Sequence, residues 1–305
     1  MNEMNVLLVL LLLGGWAGGK LFSKIKLPAI LGMMIFGIAV GALVRDRAPA
    51  VFWDLAPLLR STALIIILLR AGLGIRKSAL AKSSMTAIML AFIPCALEGA
   101  ALTGIFHYFW GFDLFTSGLT GFMLAAVSPA VVVPSMLKLM EQGYGKAREV
   151  PTTILAGASV DDVIAITLFT VFLNLASGSL AAEDFNAARI LLSIPLSIIG
   201  AIAAGILLGL LLTLYFRKHF TQIRATEKFM ILLAISIMFV EIGTSLHLAA
   251  LLGVMTIGLV LVEKADEVAH ELATKLSKAW VIAEIILFVL IGVMVNVQVA
   301  LSVGF

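Results

Sequence analysis

Two neighbouring carboxylates, Asp161 and Asp162, stand in the middle of an otherwise apolar run, VPTTILAGASVDDVIAITLFTVFLNLA. As one helix, the run places the pair about 11–12 residues from its start, roughly 17 Å at 1.5 Å per residue and close to the midplane of a bilayer. A charged side chain at that depth costs about 2.5–3.5 kcal/mol on insertion scales. Two adjacent carboxylates also resist being ionised together. Neighbouring helix positions differ by about 100°, so one carboxylate can face a water-filled cavity while the other faces a packed helix. Such a pair can hold a monovalent cation when ionised and a proton when neutral, and the two would compete. The plainer alternative is a pair of acids tied down structurally.

The preceding apolar segment carries SPAVVVPS, Ser128 to Ser135. Pro129 and Pro134 each remove an N–H and crowd the preceding turn, which predicts local unwinding within Ser128 to Ser135 that exposes carbonyl oxygens. Irregular backbone at membrane depth survives only where it lines a cavity or is buried in protein, and half-helix ends are how secondary transporters coordinate ions. A simple proline kink is the alternative. Glu98, within FIPCALEGAALTG, is a third intramembrane acid and needs either a partner or a proton. Glu241 and His247 fall toward the outer end of their segment, and Glu284 lies within snorkelling reach of the cytoplasmic surface. Cys95, the one cysteine, reads as a small residue in a helix.

These residues need a scaffold, and composition says which kind. The 305 residues are 62% hydrophobic and 13% charged, against roughly 25% charged for soluble domains. At about 20 residues per span, the chain accommodates ten apolar helices: roughly 4–22, 27–44, 55–75, 84–109, 114–140, 150–176, 189–216, 227–246, 248–262 and 278–303. The stretch 263–277, EKADEVAHELATKLSK with its flank, reads as a separate charged surface helix. Glycines at 14, 15, 18, 19, 200, 205 and 209 read as close helix packing. The expectation is an all-α polytopic membrane protein forming a single transmembrane domain over 1–305.

Seventeen of the 21 Lys and Arg residues fall in odd-numbered loops, which by the positive-inside rule puts those loops in the cytoplasm and the N-terminus outside. Ten helices would then leave the C-terminus outside as well, on the apolar residues 303–305, as if further helices were missing. Glu3 near the start and the absence of a basic n-region argue for a retained first helix rather than a signal peptide. A net charge of +3 with scattered basic residues gives no nucleic-acid footprint. With no Walker, nucleophile-elbow or HExxH pattern, neither ATP hydrolysis nor covalent catalysis is expected, and no cofactor is. The driving force would be an ion gradient.

LRAGLGIRKSALAK (69–82), IPCALEGA around Glu98, GFMLAAVSPAVVVPSML, GYGKAREVPTTILAGASVDDVIAIT and KAWVIAEIILFVLIGVMVN together resemble the cation:proton antiporter superfamily, in its sodium/proton exchanger branch. The resemblance covers essentially the whole chain. It implies two inverted repeats with a discontinuous helix, a core domain moving against a dimerisation domain, a homodimer in the cell (inner) membrane, and exchange of Na⁺ or Li⁺ for H⁺. Carried over by position, Asp162 would be the principal ion and proton carboxylate and Asp161 its partner. Ser128, Pro129, Val132 and Pro134 would support the site, and Glu98 would pair with a base on a later helix. Family members have about thirteen or fourteen helices, so ten makes an inactive, truncated scaffold a rival reading, and a K⁺ efflux-type relative, which shares the helix plan, is another.

Overall fold

The protein is described by a computed structural model covering residues 3–44, 48–75, 77–177 and 187–299. Within helices, the side chains of Glu3, 77–84, Pro129, Ala130, Lys146, Ser159, Asp162, Asn174 and 187–191 lie outside the described residues. All regular structure among the described residues is helical: α1 (Glu3–Val9), α2 (Gly15–Lys24), α3 (Ala29–Val44), α4 (Ala50–Gly74), α5 (Lys77–Trp110), α6 (Leu114–Ala125), α7 (Pro129–Glu141), α8 (Val150–Ala176), α9 (Ala187–Lys218), α10 (Ala225–Ser245), α11 (Ala250–Lys264) and α12 (Asp266–Met294). A five-residue π segment, Leu10–Gly14, joins α1 to α2 without a break. Among the described residues, seven helical stretches are long and apolar enough to cross a membrane. The other expected segments are helical but shorter: α3, α11, and α6 with α7.

Three expectations need correction. The segment 114–140 is two helices, because the chain turns extended at Ala126 and Ser128. The charged stretch 263–277 is not a separate surface helix, since α12 runs from Asp266 to Met294 in one piece. A fall in hydropathy marks where a helix leaves apolar surroundings, not where it ends, and no Gly or Pro occurs between Asp266 and Ile291 to stop it. For the same reason α5 starts at Lys77 and α4 at Ala50, each before the apolar run begins.

The chain divides into two compact units, Met1–Ile67 with Thr274–Phe305, and Leu68–Ala273, the boundaries falling inside α4 and α12. In the first unit, glycines set the packing. A Cβ on Gly32 would strike the Gly18 carbonyl, and one on Gly37 the Val289 carbonyl, so α3 lies backbone-close to both α2 and α12, as small residues permit in membrane helices.

In the second unit α5, α6 and α8 pack on one another, α7 packs on α8, and α9 packs on α11. Gly121 sits against the Gly99 carbonyl and Thr103, Gly118 against the Phe172 ring, and Gly157 against Leu90 and the Ala87 carbonyl. The Phe122 and Phe172 rings stack 5.7 Å apart. Gly205 meets the Gly253 carbonyl, so the expected close packing of α9 is present. Turns are closed by local chemistry. Asp113 caps α6 by accepting from the Phe115 and Thr116 N–H groups at 3.0 and 3.1 Å. Gly143 ends α7 in the left-handed region at φ 81°, with Tyr144 N–H donating to the Leu139 carbonyl at 3.0 Å.

Candidate functional site

The break between α6 and α7 comes from the proline at its far side. A residue before proline is pushed to extended backbone, and Ser128 has φ −63°, ψ 117°, with Ala126 also extended at ψ 126°. Pro129 then begins α7 at a position where a missing N–H is harmless. The Ser128 carbonyl accepts from Val131 and Val132 at 3.1 and 3.2 Å. Unwinding is therefore confined to Ala126–Ser128 and abuts the SPAVVVPS segment rather than filling it. Pro134 is carried inside α7.

Asp161 faces this break. It is 4% exposed, and its Oδ2 accepts a hydrogen bond from the Val127 N–H at 3.1 Å. That N–H would otherwise be an orphan of the broken helix. The positive end of the α7 dipole begins two residues later and favours negative charge nearby. Asp161 also lies within hydrogen-bonding reach of the Cys95 thiol and within electrostatic range of Glu98, both on α5.

Small side chains allow this approach. Around Asp161, α8 presents Ala156, Gly157, Ala158 and Ala165, all buried, and Ala125 at the end of α6 packs with Cys95, Ile164 and Ala165. Two neutral donors thus meet the Asp161 carboxyl, and among the described residues no Lys, Arg or His forms an ion pair with it.

The remaining expected residues are placed as follows. Asp162 continues α8 directly after Asp161, and its side chain lies outside the described residues, as does that of Pro129. Val132 and Pro134 are half-buried on α7, and Ser128 is exposed at its N-terminus. Glu98 is exposed on α5, one turn beyond Cys95, and has no ion-pair partner among the described residues. Glu241 and His247 are exposed.

Val127 and Cys95 were not anticipated. The Val127 donor is a backbone group, and nothing in its side chain announces it. Cys95 stands three residues before Glu98, and that helical spacing is the one signal that could have placed it on the same side.

Residues 8–304 match the family model for the sodium/hydrogen exchanger, transmembrane. The chain belongs to that family. It is 36% identical over 231 residues to sodium/hydrogen exchanger 9B2 of Xenopus tropicalis, covering 73% of this chain and 42% of that one. It is 36% identical over 224 residues to sodium/hydrogen exchanger 9B2 of Homo sapiens, covering 70% of this chain and 40% of that one. The chain spans about two fifths of the length of these curated relatives. Its fold is similar to that of the sodium proton antiporter MjNhaP1 of Methanocaldococcus jannaschii, with a TM-score of 0.71 at 20% identity over 99% of this chain and 73% of that one. The exchanger family is one of integral membrane transporters rather than enzymes, in line with the resemblance and the composition.

Proposed function

We propose that the chain is a secondary active antiporter that exchanges a monovalent cation, Na⁺ or Li⁺, for protons at the Asp161–Asp162 pair. The observation that carries this reading is the hydrogen bond from the Val127 N–H to a buried Asp161. It joins the carboxylate to a broken helix whose carbonyl end, at the close of α6, suits a small hard cation. Asp162, the next residue on α8, is the principal carrier, alternately cation-bound and protonated. Asp161, held by neutral donors, completes the cation's surroundings when both are ionised. Ser128 and Pro129 shape the break, Val132 and Pro134 support it from within α7, and Glu98 contributes charge from α5.

The membrane setting of this proposal has ten spans in one exchanger domain, with inverted repeats, the N-terminus outside and the loop at Lys146 and Arg148 in the cytoplasm. It functions as a homodimer in the cell membrane. The names of the matched relatives support sodium and protons as the substrates.

The test is ΔpH dequenching in vesicles carrying the protein, with Na⁺, Li⁺ and K⁺ added in turn. Na⁺ or Li⁺ should collapse the gradient, and Asp162→Asn, which keeps the size and removes the charge, should abolish the response in folded protein. Asp161→Asn should weaken it. Parental exchange by Asp162→Asn would remove the carboxylate-pair mechanism, and a response to K⁺ alone would favour a K⁺ efflux-type relative.

A further inference from the structure

Cys95 is 1% exposed on α5, and its surroundings locate its sulfur closely. It packs with Ala91, Ala125, Ile164, Ala165 and Ile194. Ile164 and Ala165 follow Asp161 by three and four residues and so share its face of α8. Ala125 ends α6 two residues before Val127. The neighbours of Cys95 thus lie one turn from Asp161 along α8 and two residues from Val127 along the break, which puts the thiol within hydrogen-bonding reach of the Asp161 carboxyl.

We propose that Cys95 is a positioning residue of the ion site, its S–H acting beside the Val127 N–H as a second neutral donor that orients the Asp161 carboxylate. This rests on the reading of Asp161 as part of the transport site. A thiol suits the place on three chemical grounds. It is a weak donor, so it supports the ionised carboxylate without fixing a counter-charge that would exclude the cation. Its sulfur is a soft, weak acceptor and a poor ligand for a hard alkali cation, so it does not compete with carboxylate oxygen. It also packs as a small apolar group, consistent with the alanines around it.

The test uses the full chain and two independent readouts. In vesicles, Cys95→Ala removes the donor and should raise the apparent KM for Na⁺ roughly three- to tenfold, the loss expected of one net hydrogen bond, with a smaller change in kcat. Its pH profile should move to more alkaline values, because the proton then competes better. Cys95→Ser keeps a donor and should return KM to within about twofold of the parental value by the same reasoning. Equal damage from Ala and Ser, or a parental KM in Cys95→Ala, would overturn the proposal.

The second readout does not depend on transport. Because the chain has a single cysteine, its infrared S–H stretching band reports Cys95 alone. The band should lie at the lower frequency of a hydrogen-bonded thiol and move to the free-thiol position in Asp161→Ala. A free-thiol band in the parental protein, or one unmoved in Asp161→Ala, would overturn the contact itself. Parental exchange by Asp162→Asn with the bonded band intact would instead locate the failure in the transport reading.

Discussion

Two buried charges in the second unit are treated in opposite ways. Lys228 on α10 is 1% exposed, its Nζ lies 2.8 Å from Glu271 Oε2 on α12, and the Phe220 ring centroid is 3.8 Å away. Its charge is met by a full counter-charge and by an aromatic face, which attracts a cation in its own right. Asp161 is 4% exposed and, among the described residues, is met by neutral donors and by no counter-charge. A buried charge with a permanent partner of opposite sign is a fastening, since removing either partner strands the other. A buried carboxylate held only by dipoles still lacks its counter-charge, and an arriving cation or proton can supply it. The same burial thus means rigidity at one place and, under the proposed function, exchange at the other.

The comparison predicts unequal responses to mutations of equal size. Glu271→Gln leaves Lys228 buried without its anion and should destabilise the protein by about 3–5 kcal/mol, toward the lower figure because Glu271 is itself partly exposed. Denaturant unfolding in detergent measures this, and replacing both partners with Leu and Met should restore most of the loss. A Glu271→Gln protein as stable as the parent would show the pair to be incidental.

Asp161→Asn should change stability by no more than about 1 kcal/mol, because the amide oxygen still accepts from the Val127 N–H and one neutral hydrogen bond replaces a charge-assisted one. Its cost should fall on exchange instead. A loss as large as that of Glu271→Gln would erase the distinction between the two sites.

The smallest expected effect is at Asp113, the exposed N-cap of α6. Hydrogen bonds from Thr116, aided by the Phe115 N–H, hold its carboxyl below the usual carboxylate value. A group whose folded-state pKa is lowered contributes stability that is present above its unfolded pKa and lost as pH falls through the folded one. Asp113→Asn keeps the cap and removes the charge. The parent should therefore be the more stable at neutral pH, with the difference vanishing on acidification, and a pH-independent difference would contradict this.

The helices were largely legible in the sequence because apolar runs and charged breaks record where the chain meets lipid. What hydropathy did not record was the end of a helix as such. α12 continues through DEVAHELATKLSK because nothing there stops it, whereas α6 stops inside an apolar run because Pro129 constrains the residue before it. That a carboxylate of α8 meets the break after α6 was legible in part, since an acid in an apolar run beside a proline-bearing segment points to it, and Asp161 is the one seen to do so among the described residues. The donors that meet Asp161 were not. One is a peptide N–H freed by a helix break, and the other is a thiol whose part depends on which helix its own happens to face. Placement across helices, rather than residue type, decides both.

The most direct measurement is proton release on Na⁺ addition to the solubilised protein in weakly buffered solution, repeated across pH. If cation and proton share the Asp161–Asp162 pair, Na⁺ will displace protons from the parental protein. The apparent Na⁺ affinity will then fall as pH drops through the titration of the coupled pair, and a folded Asp161→Asn, Asp162→Asn double variant will release none. Undiminished release from that double variant, or an Na⁺ affinity that ignores pH, would contradict exchange at the aspartate pair.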